Sequence, residues 1–211
     1  MKRISLTVFM MVLLSVAHFS CTKTSNTAPG TITQAQPADE IRAAEETLRS
    51  KVYLIEAGEH DCKPNPFVLT SKTQLTFTAA FDSSCIYTTA DPNNQNDINK
   101  LFGFSDCNGH HLENSARVGW RWSNDSLRLF AFVHNNGEMV FREMTSARIG
   151  STIKCRITCL DSSYLFEINK SVAVLPRHCS AKVTRYKLFP YFGGDETAPH
   201  DIRIAVNEVK N

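Results

Sequence analysis

Residues 99–122 of this 211-residue chain read NKLFGFSDCNGHHLENSARVGWRW, a polar and turn-rich segment that runs into a strictly alternating one. If residues 116–122 (ARVGWRW) form a β-strand, neighbouring side chains point to opposite faces. One face then carries only apolar residues, namely Ala116, Val118, Trp120 and Trp122. The other face carries Arg117 and Arg121 with Gly119 between them. We therefore predict a strand with one face in a hydrophobic core, preceded by a polar loop.

The arginine face of this strand has two interpretations. In the first, Arg117 and Arg121 lie on the solvated side of an antiparallel sheet, because any strand with one wet face alternates in this way. In the second, they belong to a ligand-binding face. The two arginines would lie about 13 Å apart along the strand, and Gly119 would leave the backbone between them open to close approach. An extended anionic or hydroxyl-rich ligand fits that arrangement.

The same period of two continues through most of the chain that follows residue 51. The predicted strands are 52–56, 73–82, 116–122, 127–133, 139–148, 152–160, 164–169, 172–175, 183–189 and 202–206. Turn-forming clusters such as Asn135-Asn136-Gly137 separate them at hairpin spacing. About ten strands without helical crossovers predict an all-β fold. An antiparallel jelly-roll β-sandwich is favoured, because the chain is too long for a small barrel and shows no blade-like repeat.

The N-terminal residues predict export and lipid attachment. A basic start, MKR, precedes the apolar run 4–17, which is too short to span a membrane and is typical of a signal peptide. We assign residues 1–20 to this signal peptide. Residues 18–21 (HFSC) resemble the lipobox of bacterial lipoproteins, with a histidine where leucine is usual. Cys21 would then carry the lipid as the chain's only contact with a membrane. The outer membrane of the cell envelope is the expected location, with its leaflet left open.

Three regions follow the predicted signal peptide. Residues 21–38 are rich in Thr, Ser, Asn, Pro and Gln, a composition that favours a flexible tether. Residues 39–50 (DEIRAAEETLRS) have apolar positions at helical spacing and acidic residues early, which predicts a short helix. Residues 51–211 then form one β-sandwich domain, long enough for a sizeable core.

Charge and cysteine content narrow the classes of partner and site. The net charge is only +2, so nucleic acid is not expected as a partner. If one of the seven cysteines carries a lipid, six remain, and disulfides can form among them in an exported domain. Cys155 and Cys159 lie about 13 Å apart on one predicted strand, too far to bridge. At least one disulfide is predicted among the loop cysteines, Cys62, Cys85, Cys107 and Cys179.

Two further groups of polar residues have open interpretations. His110, His111, Asp106 and Glu113 have side chains of the kinds that bind a metal or act as a general base. A polar loop also carries such residues to contact a ligand, or to form hydrogen bonds within the loop itself. Calcium is the single cofactor considered. The carboxylates that could bind calcium lie in residues 91–97 (DPNNQND) and at Asp195 and Asp201. The alternative interpretation is that these segments are polar turns that close the sandwich.

Three passages carry a resemblance to a known group. They are FDSSCIY (residues 81–87), DINKLFGFSD leading to NSARVGW (97–106 and 114–120), and YKLFPYFGGD followed by APHDI (186–195 and 198–202). Together they resemble a poorly characterised group of bacterial, Bacteroidota-type lipoproteins with a concanavalin-like jelly-roll domain. The resemblance implies a concanavalin-like jelly-roll fold and sugar ligands. The Gln-Ile-His triplet of jelly-roll lyases and the Glu-x-Asp-x-x-Glu run of jelly-roll glucanases are absent.

Three functional hypotheses follow. The first is a non-catalytic module that binds carbohydrate, especially acidic polysaccharide, with Arg117, Arg121, Arg128 and Tyr191 as ligand contacts because arginine binds carboxylates in a bidentate manner. The second is a polysaccharide lyase or glycoside hydrolase with His110, His111 or His200 as base. The third is a structural envelope protein without a small ligand. A His/Tyr or carboxylate pair on the arginine face would favour an enzyme, and a covered face would favour the structural protein.

Overall fold

The structure is a computed structural model that describes residues 50–180 and 183–209. The predicted signal peptide, the tether, Cys21 and all but the last residue of the predicted short helix lie outside the described residues. Within those residues, no helix is long and apolar enough to cross a membrane.

Thirteen strands form the described part of the chain. They are β1 (Lys51–Ile55), β2 (Cys62–Lys63), β3 (Leu69–Thr70), β4 (Gln74–Phe81), β5 (Asn99–Ser105), β6 (Asn114–Ser123), β7 (Ser126–Asn135), β8 (Glu138–Ala147), β9 (Thr152–Cys159), β10 (Ser163–Ile168), β11 (Ser171–Pro176), β12 (Arg185–Leu188) and β13 (Ile202–Glu208). Two short 3₁₀ helices, Ser83–Cys85 and Pro92–Asn96, lie between β4 and β5.

The strands form two sheets. One, which we call the back sheet, has the order β11-β10-β9-β4-β13-β1-β2, and the other, which we call the cleft sheet, has the order β3-β12-β5-β6-β7-β8. Every pair of neighbouring strands is antiparallel. The predicted all-β, antiparallel jelly-roll sandwich is thus confirmed.

The hydrophobic core lies between the inner faces of the two sheets. Trp120 of β6 is fully buried and its ring lies 5.3 Å from that of Phe81 on β4. Phe102 of β5 packs edge-on against Phe77 of β4 at 5.1 Å. Burying an aromatic side chain of this size removes on the order of 150–250 Å² from water. The apolar face predicted for residues 116–122 is therefore the core face, and its arginines point to the outer side of the cleft sheet.

The prediction of a polar loop before this strand was wrong for residues 99–105, which form β5. A β-bulge between Lys100 and Phe102 shifts the register of β5 against β6. Because of the bulge, Leu101, Phe102 and Phe104 all join the core, and the alternation that marks other strands is broken. The loop itself is confined to residues 106–113.

Cysteine pairing follows the prediction. Cys107 and Cys179 form a disulfide with their Cα atoms 5.6 Å apart, which confirms at least one bridge in the predicted set. Cys155 and Cys159 do not bridge each other, as their spacing on β9 predicts, and both are free thiols. Cys62 and Cys85 are buried free thiols, and burial raises the pKa of each to about 12.

Candidate functional site

The outer face of the cleft sheet is built from rows of directly paired residues, one from each strand. Neighbouring strands lie about 4.8 Å apart. The middle row contains Gly103, Arg117, Phe132 and Phe141, from β5 to β8. The row on one side contains Ser105, Ser115, His134 and Met139, and the row on the other side contains Lys100, Gly119, Phe130 and Glu143.

A cavity of about 530 Å³ opens on this face. We call it the Arg117 cleft. Its polar lining converges from four strands and two loops, and includes Lys100, His111, Arg117, His134, Tyr186 and Tyr191. Three strongly exposed apolar side chains, Phe67, Leu112 and Met139, also line it. The face is therefore open, which disfavours the structural-protein hypothesis.

Arg117 lies at the bottom of the cleft with only 6% of its surface exposed. Its Nη2 donates a hydrogen bond to the Phe189 carbonyl oxygen at 3.3 Å, while its Nε has no hydrogen-bond partner among the described residues. No carboxylate in residues 50–180 and 183–209 forms a salt bridge with it. Burial lowers the pKa of Arg117 to about 10, so the guanidinium stays charged at neutral pH. The interpretation of Arg117 as a solvated sheet residue was wrong.

Lys100 places a second cation beside Arg117. Its ammonium donates to the Ile98 carbonyl oxygen at 2.6 Å and lies 4.5 Å from the centre of the Phe132 ring. Burial, and then repulsion by Arg117, lower the pKa of Lys100 to about 8. Asp97 attracts Lys100 and Asp61 attracts Arg117, but neither cation forms a salt bridge with a carboxylate of the described residues. Two largely buried cations without a salt bridge are costly, because desolvation of a charge is offset only by pairing. An anion bound in the cleft would offset that cost.

Two histidines of the cleft are held in their neutral form. His134 is buried, and its Nδ1 lies 3.3 Å from the Ser115 hydroxyl. The Nδ1 of His111 lies 3.1 Å from the hydroxyl of Tyr186, which also accepts the His111 backbone N–H. Burial, with repulsion from the nearby cations, lowers the pKa of both histidines to about 4. Each is therefore unprotonated at neutral pH, which is the form that a general base must have, although the low pKa makes it a weak base.

Tyr191 supplies a protonated phenol on the β5 side of the cleft. Its backbone forms a two-way hydrogen-bonded bridge with Lys100, with N to O distances of 2.9 Å. Its ring stacks on that of His60 with centres 5.3 Å apart. Partial burial raises the pKa of Tyr191, so the phenol keeps its proton at neutral pH.

The predicted site residues divide into two groups. Arg117, His111 and Tyr191 meet in the cleft. Arg121 lies outside its lining, where it donates to the Asn96 carbonyl oxygen at 2.6 Å and packs over the Phe130 ring. Arg128 is likewise outside and pairs with Glu143 at 2.7 Å.

The other histidines named from the sequence are also outside the lining. His110 is exposed, and its Nδ1 accepts the Leu112 backbone N–H at 3.3 Å. The Nε2 of His200 lies 2.8 Å from the Ser84 carbonyl oxygen.

Asp106 does not join the histidines, contrary to one prediction. It is fully buried and pairs with Arg177 at 2.6 Å and with Arg185 at 2.8 Å. Its Oδ2 also accepts the hydroxyl of Tyr164 at 2.8 Å. Burial alone would raise the pKa of Asp106, but hydrogen bonds from Arg177, the Cys107 backbone and Tyr164, with the nearby charge of Arg185, lower it below its usual range. Asp106 is thus a buried structural centre that is not part of the lining of the cleft.

Two of the carboxylates considered for calcium, Asp91 and Asp201, are engaged in hydrogen bonds within the domain. Asp91 caps the 3₁₀ helix Pro92–Asn96 by accepting the Asn93 backbone N–H at 2.9 Å. Asp201 accepts the Ala57 backbone N–H at 3.1 Å. Glu196, next to Asp195, accepts three hydrogen bonds, from the backbones of Ala90 and Asp91 and the side chain of Asn94. These contacts favour the interpretation in which the segments close the sandwich.

One group of possible metal ligands lies close together in the described part of the chain. It comprises Asp106, Cys107 and Cys179. The two cysteines are joined in the disulfide, and Asp106 is paired with two arginines, so this group is not a metal centre.

Lys100, His134 and Tyr186 were missed by sequence reasoning. His134 follows Phe130 and Phe132 at a spacing of two, on the face of β7 that is opposite its apolar face. The alternation of side chains along β7 could therefore have placed His134 on the outer face of the sheet. Lys100 had no such signal, because the bulge in β5 interrupts the alternation there. Tyr186 reaches the cleft only through the pairing of β12 with β5, which is set by tertiary structure.

No protein-family model matches the chain, and no curated protein matches its sequence. Solved structures share its fold. Alginate lyase AlyC3 matches with a TM-score of 0.53 at 12% identity, covering 76% of this chain and 74% of the lyase. The GH16 protein of a Bacteroides ovatus mixed-linkage glucan PUL, in complex with a G4G4G3G product, matches with a TM-score of 0.51 at 7% identity, covering 76% and 80%. The likeness establishes a concanavalin-like jelly roll of the kind found in polysaccharide lyases and GH16 proteins.

Proposed function

We propose that the Arg117 cleft binds an acidic polysaccharide by the carboxylate of a uronate sugar. The observation that carries this proposal is the guanidinium of Arg117, which lines an open cavity and forms no salt bridge with a carboxylate of the described residues. A ligand carboxylate would form charge-assisted hydrogen bonds there, and Lys100 would add a second positive charge.

The shape of the cleft supports a polymer as the ligand. The rows of paired residues run across four strands of an open sheet face, so a chain of sugars can lie across the strands. The same fold occurs in an alginate lyase and in a GH16 protein with a bound glucan product. A glycan partner is thus consistent with the fold, and the cations in the cleft favour an acidic one.

The test is a binding titration of the purified protein with a soluble polyuronate and with a neutral glucan of similar length. We expect Arg117→Ala to weaken polyuronate binding at least about tenfold, since charge-assisted hydrogen bonds contribute on the order of 1.5–3 kcal/mol. Arg121→Ala is the matched control, because Arg121 is held outside the cleft by Asn96. Equal affinity of Arg117→Ala and the unmodified protein for every polyuronate would refute the proposal.

A second candidate function is cleavage of that polysaccharide by β-elimination. Neutral histidines and the protonated phenol of Tyr191 lie in the same cleft as Arg117, which is a combination suited to this reaction. Arg117 and Lys100 would neutralise the uronate carboxylate and so acidify the proton on C5. His134 or His111 would take that proton, a C4–C5 double bond would form, and the C4–O4 bond would break. Tyr191 or Tyr186 would protonate the departing oxygen.

The elimination product contains a double bond conjugated with the carboxylate, so its ultraviolet absorbance reports the reaction. We expect His134→Gln to reduce the rate by at least about a hundredfold while leaving affinity within about threefold. A glycosidase mechanism has less support, because it requires two carboxyl groups. The described lining of the cleft contains one, Asp61.

We also propose that the domain is displayed at the outer membrane by a lipid on Cys21. The support is the sequence: a signal peptide, a lipobox-like HFSC segment and a polar tether before the domain. A tethered binding domain of this kind would hold polysaccharide at the cell envelope.

A further inference from the structure

The distribution of charge in the Arg117 cleft indicates which acidic polysaccharide it takes. Resting on the binding function proposed above, we infer that the cleft selects a polymer in which each charged sugar is flanked by uncharged sugars with apolar groups. A polyuronate, with a carboxylate on every sugar, is the poorer ligand.

In the described lining of the cleft, positive charge without a salt bridge is concentrated at one place. A third lining cation, Lys187, forms a salt bridge with Glu208. Lys100 and Arg117 lie on adjacent rows of the sheet, and repulsion between them contributes to the lowered pKa of Lys100. His111 and His134 add no charge at neutral pH, because burial keeps both deprotonated. This part of the cleft therefore matches one carboxylate rather than a row of them.

The surface on the β8 side of this charged centre is apolar. Met139 is 64% exposed and pairs directly with His134, while Phe141 is 54% exposed and pairs with Phe132. The rings of Phe132 and Phe141 are nearly parallel, with centres 6.4 Å apart. A step of one strand, about 4.8 Å, is close to the length of one sugar in a polysaccharide. The sugar next to the bound uronate would lie on this apolar surface.

The opposite side of the cleft repeats the pattern. Phe67 is 73% exposed, and its ring lies 5.3 Å from that of Tyr186. Asp61, an exposed acidic residue, lines the cleft on this side as well. A second carboxylate would meet an aromatic ring and a like charge here, whereas a neutral sugar would present its C–H face to Phe67.

These surroundings penalise a second carboxylate next to the first. A carboxylate placed on Met139, Phe141 or Phe67 would lose hydration without gaining a partner. An N-acetyl methyl group or the apolar face of a sugar ring would instead remove hydrophobic surface from water, at roughly 25 cal/mol per Å². The same surfaces thus favour the neutral sugar and disfavour the charged one.

The experiment compares two probes of matched length by calorimetric titration of the full purified protein at one ionic strength. Hyaluronan oligosaccharides alternate glucuronate with N-acetylglucosamine, and polygalacturonate oligosaccharides carry a carboxylate on every sugar. We expect hyaluronan to bind at least about tenfold more tightly, a difference of about 1.4 kcal/mol. This comparison needs no variant, so it does not depend on the folding of one.

Substitutions then locate the selectivity. Phe67→Ser with Met139→Ser should weaken hyaluronan binding about tenfold and bring the two affinities within about threefold of each other. Val172→Ser is the matched control, because Val172 is 59% exposed on β11 of the back sheet, and it should change neither affinity. An unchanged preference in the double variant would overturn the role of these residues.

The outcomes separate the two proposals. Polygalacturonate binding equal to or tighter than hyaluronan binding would overturn the inference while leaving acidic-polysaccharide binding intact. Binding of neither probe, or binding of both that Arg117→Ala does not weaken, would refute the proposed function itself. Binding of anionic lipid vesicles in place of both polysaccharides would refute both proposals.

Discussion

Lys100 is the residue whose protonation sets the charge of the cleft near physiological pH. Burial lowers its pKa to about 8, with repulsion by Arg117 as the second cause. A bound carboxylate would favour the charged form of Lys100, so binding above this pH must be accompanied by uptake of a proton. The affinity for an acidic ligand should therefore fall as the pH rises through about 8.

The prediction for Lys100 is tested by titrating an acidic oligosaccharide between about pH 6.5 and pH 9.5. We expect the dissociation constant to rise above pH 8, by up to about tenfold per pH unit where binding requires the proton. Lys100→Arg should remove this rise, because arginine stays charged throughout the range. A flat profile in the unmodified protein would show that Lys100 takes no part in binding.

Asp106 contributes to the stability of the fold. Its buried carboxylate pairs with Arg177 and Arg185, and removing one member of a buried ion cluster leaves charge uncompensated. Asp106→Asn should lower the free energy of unfolding by about 3–5 kcal/mol, measured by urea denaturation. Asp125→Asn, in the exposed turn after β6, is the control and should change stability by less than about 0.5 kcal/mol.

The pH dependence of unfolding gives an independent test of Asp106. Its pKa in the folded protein is lowered, so its stabilisation is complete above the unfolded-state pKa of about 3.9. The stabilisation is lost as the pH falls through the lower, folded-state value. We expect a smaller loss of stability in acid for Asp106→Asn than for the unmodified protein, and an equal loss would contradict this account.

At the scale of the strands, most of the fold could be predicted from the alternation of side chains. The strand at residues 116–122 has its core face and its arginine face where the sequence places them, since a period of two fixes both faces of any regular strand. Strand β5 was missed because its bulge sends neighbouring residues to the same side. The burial of Arg117 could not be predicted either, because the carbonyl that binds it belongs to Phe189, which is distant in sequence.

The disulfide between Cys107 and Cys179 joins the β5–β6 loop to the segment between β11 and β12. The loop that it closes spans 72 residues, so breaking it should lower stability by about 2–4 kcal/mol. A reducing agent should lower the melting temperature of the unmodified protein. It should not lower that of the double variant Cys107→Ser, Cys179→Ser, and a further decrease in that variant would assign the effect to another site.

At the scale of the whole molecule, the cleft is a local feature of a nearly neutral protein. The net charge is +2, so long-range attraction of an anionic polymer to the protein is weak. Binding therefore depends on the charges collected at Lys100 and Arg117. The proposed anchoring of the domain to a membrane would raise its effective concentration at the envelope, and it would then connect Cys21 with the proposed binding function.

The prediction for Cys21 concerns residues outside the described part of the chain and rests on the sequence alone. If Cys21 is acylated after removal of residues 1–20, the protein made in a Gram-negative host should enter the detergent phase in a temperature-induced phase separation. Cys21→Ser should move it to the aqueous phase, because the tether and domain then have no lipid. Cys159→Ser is the control, since Cys159 is an unpaired thiol of the domain, and this variant should stay with the detergent. Aqueous partition of the unmodified protein, or detergent partition of Cys21→Ser, would refute lipid anchoring and leave the cleft to act in a domain that is free of the membrane.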